Sequence, residues 1–84
     1  MKVLFSPRFE KNFQKLPTRI QQLTLKKLEL FESDPKSSSL KVHELTGKLR
    51  DCSAFSVNHS YRILFFTEGG EAVLVDIGTH SIYK

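Results

Sequence analysis

The chain has 84 residues with 13 Lys/Arg against 9 Asp/Glu, 39% hydrophobic residues and seven Phe. It is long enough for one domain spanning residues 1–84 with a modest core, since a chain this short buries only about 60–65% of the surface it exposes unfolded. One cysteine, Cys52, excludes an intrachain disulfide and reads as a small core residue in a reducing compartment.

No apolar run approaches the roughly 20 residues needed to span a bilayer. The opening "MKVLFSPRFEK" lacks the apolar stretch of a secretory signal, so a cytoplasmic location is expected. The charge is uneven. Residues 1–50 carry 11 Lys/Arg and 5 Asp/Glu, a net of +6, and residues 51–84 carry 2 and 4, a net of −2. A basic helical half points to an anionic partner, either nucleic acid or an acidic protein.

"KVLFS" reads as a short first strand. Ser6-Pro7 starts a helix, with Ser6 as N-cap and Pro7 at the first helical position, where its missing N–H is harmless. Phe9, Phe13 and Leu16 then recur on one helical face, and Pro17 breaks the pattern. Thr18 is the expected cap of a second helix whose inner side holds Ile20, Leu23, Leu28 and Phe31. The two helices form a hairpin.

"SDPKSSS" ends the second helix, because Asp34-Pro35 opposes its continuation. "LKVHELTGKLRD" follows as a connection anchored by Leu40, Val42, Leu45 and Leu49, with Gly47 as a turn. Three strand-like runs complete the chain, "CSAFSV", "YRILFF" and "EAVLVDIG". They are joined by "NHS" and by "TEGGE", whose glycines supply the positive φ that hairpin turns demand. The order β-α-α-β-β-β predicts a two-layer α+β fold, a helical hairpin on a mostly antiparallel four-stranded sheet with one open face. Alternation puts Arg62, Leu64 and Phe66 on one face and Tyr61, Ile63 and Phe65 on the other. The same argument sets Asp76 opposite Val73, Val75 and Ile77, so Arg62 and Asp76 are expected near each other on the open face.

His43, His59 and His80 show no metal-ligand spacing, and one cysteine does not build a zinc site. No phosphate-binding glycine loop and no nucleophile elbow is present. Neither metal nor cofactor is expected. The inventory suits metal-free cleavage of RNA, in which the 2′-hydroxyl attacks the adjacent phosphorus. That reaction needs a base, an acid and a cation for the phosphorane. His43 and His80 are candidates for the acid/base work, since histidine titrates near neutrality. Arg62 suits the phosphorane, because its planar fork matches phosphate. Lys48, Arg50, Tyr61, Tyr83 and Lys84 are candidates for phosphate binding or base stacking.

This β-α-α-β-β-β order, with "HELTGKL" before the sheet, "YRILFF" within it and "DIGTH" with a final Tyr at the end, resembles the RelE/ParE superfamily over essentially the whole chain. These are toxins of type II toxin–antitoxin pairs, and the RelE/StbE and YafQ-like branch is the most similar. The resemblance implies a ribosome-dependent mRNA endoribonuclease cutting in the A site, held inactive by an acidic antitoxin. It also implies that basic helices 8–16 and 18–31 dock on ribosomal RNA. His43, in "VHELTG", matches the first histidine of YafQ-like enzymes and His80, in "GTH", the later one. Arg62, in "YR", matches the sheet arginine of the RelE branch, and Tyr83 the C-terminal aromatic. Ser56 and Ser60 stand where YafQ-like enzymes carry a histidine and an aspartate, and Asp76 where they carry an arginine. Two other readings share the fold: a non-enzymatic ParE-like inhibitor of DNA gyrase, and a catalytically degenerate homologue that binds only its antitoxin.

Overall fold

The computed structural model describes residues 1–83; Lys84 lies outside the described residues. Strand β1 (Lys2–Phe5) leads into helix α1 (Pro7–Gln14), and helix α2 (Thr18–Ser33) follows after a short turn. Strands β2 (His43–Glu44), β3 (Ser53–Ser56), β4 (Arg62–Glu68) and β5 (Glu71–Gly78) come next, and the chain closes with a 3₁₀ turn, His80–Tyr83. No described helix is long and apolar enough to cross a membrane.

Ser6 caps α1 as its sequence suggests. Its Oγ accepts from the N–H of Phe9 at 3.1 Å and donates to the carbonyl of Val75 at 3.0 Å, which ties the helix start to β5. Thr18 does not cap α2. Pro17 occupies the capping position, and no side chain caps this end. Gln21 instead donates its amide to the carbonyls of Phe13 and Gln14, satisfying orphan acceptors at the end of α1.

The sheet has five strands in the order β1-β5-β4-β3-β2. The fifth, unexpected strand is His43–Glu44, which pairs antiparallel with Ala54 and Ser53. Two residues carry no alternation, so only the partner strand defines them. β1 runs parallel to β5, and every other pair is antiparallel.

Helix α2 covers β3 and β4. Phe31 stacks on Phe55 with centroids 4.6 Å apart and meets Phe65 edge-on at 4.9 Å, in the geometry aromatic pairs favour. Ile63, Leu74 and Ile77 extend this core. Cys52 is only half-buried; burial first and the neighbouring Asp51 carboxylate second raise its thiol pKa above the usual value, which keeps it poorly nucleophilic.

Strand β5 carries a bulge. Leu64 pairs with Asp76, but the next residue, Phe65, pairs with Leu74, so Val75 is an extra residue. The bulge lies before Asp76: it brings Leu74 and Ile77, which strict alternation sets on opposite faces, into one core, while Asp76, opposite Leu64, keeps the face of Arg62. The Asp76 carboxylate reaches α1, where Asn12 Nδ2 donates to its Oδ1 at 2.6 Å and Arg8 meets its Oδ2 at 2.9 Å. Arg62 and Asp76 thus share a face by register, but the carboxylate is engaged by α1 and not by Arg62.

Candidate functional site

Because Phe55 faces α2, its neighbours Ala54 and Ser56 point to the opposite face of the sheet. Paired residues share a face, so His43, opposite Ala54, lies on that side too. So do Arg62, opposite Ser56, and Gly78, opposite Arg62. The row Ser56–Arg62–Gly78 crosses three strands at one end of the sheet.

The C-terminal turn folds back over this row. A Cβ added at Gly78 would come within 2.8 Å of Ile82 Cγ2, and Ile82 is buried. The turn is held by the Ile82 N–H donating to the carbonyl of Thr79 at 3.0 Å. It carries His80, which is exposed two residues beyond Gly78. The His80 ring meets Tyr83 edge-on, with centroids 5.8 Å apart. The Tyr83 hydroxyl is buried and has no hydrogen-bond partner among the described residues. Gly78→Ala should therefore displace the turn, lower stability by about 1–2 kcal/mol through overpacking, and move His80. A thermal melt beside a cleavage assay checks this; an unchanged melt would show that Ile82 yields freely.

Arg62 is half-buried and fixed by the loop before it. Asn58 Oδ1 accepts from the N–H groups of Ser60 and Tyr61, a local turn typical of asparagine. Arg62 Nη1 then donates to the carbonyls of Asn58 at 3.0 Å and of His59 and Tyr61 at 3.4 Å. Its Nη2 and Nε make no hydrogen bond among the described residues. The loop orients one arm of the guanidinium and leaves the rest available.

The structure brings Arg62 and His80 to one end of the sheet, with Ser56 beside Arg62. The other sequence candidates are more dispersed. His43 is exposed on edge strand β2, and its Nδ1 lies 3.2 Å from the carbonyl of Lys41. Three strand spacings separate β2 from β5, on the order of 14 Å, so His43 and His80 flank Arg62 and do not touch. Lys48 and Arg50 are exposed in the turn between β2 and β3, towards the end of the sheet away from His80. Tyr61 packs against the core on the helix side, which removes it from the open face. Lys84 lies outside the described residues.

Sequence reasoning missed a polar cavity of about 240 Å³ beside Arg62, lined by Lys27, Lys41 and His59 among others. These residues come from separate segments, so no local motif signals them. Among the described residues no cluster of His, Cys, Asp or Glu is arranged to hold a metal.

The helical hairpin on a mostly antiparallel five-stranded sheet is a fold shared with solved toxins of the YafQ and YoeB/ParE type. No protein-family model and no curated protein matches the chain by sequence. Among solved structures, YafQ from Escherichia coli strain BL21(DE3) aligns with a TM-score of 0.81 at 14% identity, covering 98% of this chain and 96% of that one. A YoeB/ParE toxin from Agrobacterium tumefaciens aligns with a TM-score of 0.77 at 13% identity, over 95% and 99% of the two chains. The YoeB-YefM complex from Staphylococcus aureus aligns with a TM-score of 0.76 at 14% identity, over 95% and 97%. At these identities the likeness is one of fold.

Proposed function

We propose that the chain is the toxin of a type II toxin–antitoxin pair and acts as a ribosome-dependent mRNA endoribonuclease without metal or cofactor. The observation that carries this reading is Arg62 held by its loop at the strand end where His80 also stands, on a fold shared with YafQ and YoeB. His80 exchanges a proton with the reacting ribose or the leaving 5′-oxygen, and the free arm of Arg62 meets the charge developing on the phosphorane. His43, further along the face, acts on the same strand as a second acid/base group or as a phosphate ligand. Ser56 lacks an imidazole, and Asp76 is turned to α1, so the electrostatic work falls on Arg62. The test is primer extension on a defined mRNA in 70S ribosomes. Cuts in the A site are expected. Their absence with folded protein, together with inhibition of gyrase supercoiling, would favour the ParE-like reading, to which the Agrobacterium likeness points. Absence of both activities would favour the degenerate homologue, which the serines at positions 56 and 60 and Asp76 motivate.

The partner in this reading is an acidic antitoxin that folds on binding. The helical side offers it an apolar groove of about 310 Å³ lined by Phe5, Phe9, Phe13, Leu25 and Leu28. Phe5 and Leu25 are 48% and 53% exposed, unusual for large apolar side chains. Leu25→Glu should weaken antitoxin binding by about tenfold or more, the scale of an interface anchor, and leave free-toxin cleavage intact. Calorimetric titration of the two proteins checks it; unchanged affinity would move the contact elsewhere.

A further inference from the structure

We propose that Lys27, Lys41, His59 and Arg62 form a second phosphate subsite, which grips the backbone of a single-stranded RNA beside the point of cleavage. This rests on the reading of the strand ends as an RNA site and deepens it.

The four residues line one cavity of about 240 Å³, together with Asn58 and Ser56. They come from α2, the turn before β2, the loop between β3 and β4, and β4 itself, so tertiary structure assembles them. Three are permanent cations. No carboxylate lines the cavity, and the two ion pairs among the described residues, Lys2–Glu71 and Arg8–Asp76, lie elsewhere. Cations gathered without a counter-charge repel one another, and an anion seated between them relieves the repulsion. Guanidinium and ammonium groups together suit a phosphate, the first as a fork and the second as a point charge.

The position of Lys41 is built in. Its backbone has φ of 53°, in the left-handed region that residues other than glycine rarely adopt. Its N–H donates to the carbonyl of Ser38, and its own carbonyl lies 3.2 Å from His43 Nδ1. Lys41 thus links the cavity to His43, which geometry had left apart from Arg62. The occupant is a polymer by the same map. Asn58 also lines a broad groove of about 540 Å³ with Arg19, Gln22 and Lys26. A backbone leaving the cavity therefore meets further basic groups along α2, which a free anion would not need.

The test uses the full chain and a short single-stranded 2′-O-methyl RNA, which lacks the attacking hydroxyl. Affinity is measured by fluorescence anisotropy across a salt series, without ribosomes. The double variant Lys27→Gln and Lys41→Gln should weaken binding about tenfold or more at low salt and flatten the salt slope by about 1.4, from two lost phosphate contacts on a single strand. Lys2→Gln with Lys36→Gln, exposed lysines on β1 and after α2 that line neither the cavity nor the groove, should change neither. An unchanged slope in the first variant, an equal loss in the second, or no binding by the unaltered chain would each overturn the subsite. Ribosome-programmed cleavage, measured in parallel, keeps the two readings apart. Cleavage retained with the binding result negative removes the subsite alone; absence of cleavage with the binding result positive removes the nuclease reading alone.

Discussion

Replacing His80 with alanine is expected to lower ribosome-programmed cleavage by about 10²–10⁴-fold, the range assigned to one positioned acid or base, with no loss of fold. His80 is exposed, and the turn that carries it is anchored by Ile82 on Gly78 and by the Thr79 carbonyl, neither of which involves the imidazole. The thermal midpoint should therefore stay at that of the unaltered chain. The substitution removes the edge-on contact with Tyr83, which contributes little at an exposed position. Arg62→Lys makes a useful companion. It keeps the charge but loses the fork, so it should reduce cleavage and also loosen the loop whose Asn58, His59 and Tyr61 carbonyls the guanidinium gathers. Single-turnover rates beside melting curves separate these effects. A His80→Ala rate equal to that of the unaltered chain would remove His80 from the chemistry and return the exposed end of the chain to a merely polar terminus.

How far the sequence leads depends on whether a feature is local. The helices follow from the spacing of Phe9 and Phe13 and of Ile20, Leu28 and Phe31, and the β4–β5 hairpin from Gly69-Gly70, both of which have positive φ. The side chains at Arg62 and Tyr61 fall on the faces that strand alternation predicts. What eludes such reading depends on partners distant in sequence. The parallel pairing of β1 with β5 is chosen by the sheet, and His43–Glu44 is a strand only because β3 lies beside it. The bulge at Val75 is one residue of register, with no glycine or proline to announce it, yet it brings Leu74 and Ile77 into one core, which strict alternation would set on opposite faces. The cationic cavity gathers single residues from segments that no spacing rule connects.

Asp76→Ala is expected to lower stability by about 2–4 kcal/mol, a range argued from orphaned buried partners. The Asp76 side chain is 5% exposed, and both carboxylate oxygens are engaged. Oδ1 accepts from Asn12 Nδ2 at 2.6 Å and from the N–H of Ile77 at 2.8 Å, and Oδ2 meets Arg8 Nη2 at 2.9 Å. Removing it strands the Asn12 amide and the Ile77 N–H where water reaches them poorly. Arg8 is different. Its side chain is 62% exposed, so its charge is resolvated when the partner is lost, and Arg8→Ala should cost about 1 kcal/mol or less. The prediction is thus an ordering, with Asp76→Ala worse than Arg8→Ala and Asp76→Asn between them, since the amide keeps one acceptor but turns an N–H₂ towards the guanidinium. Chemical denaturation of the three variants reads it, and Arg8→Ala equal to or worse than Asp76→Ala would show that the ion pair, not the buried hydrogen bonds, holds α1 to the sheet. The consequence reaches the candidate site. Asp76 fixes the N–H of Ile77, the residue before Gly78, and Gly78 seats the turn that carries His80. A variant that stays folded at low temperature but frees this bulge should lose cleavage through misplacement of His80, although Asp76 faces α1 and not the RNA.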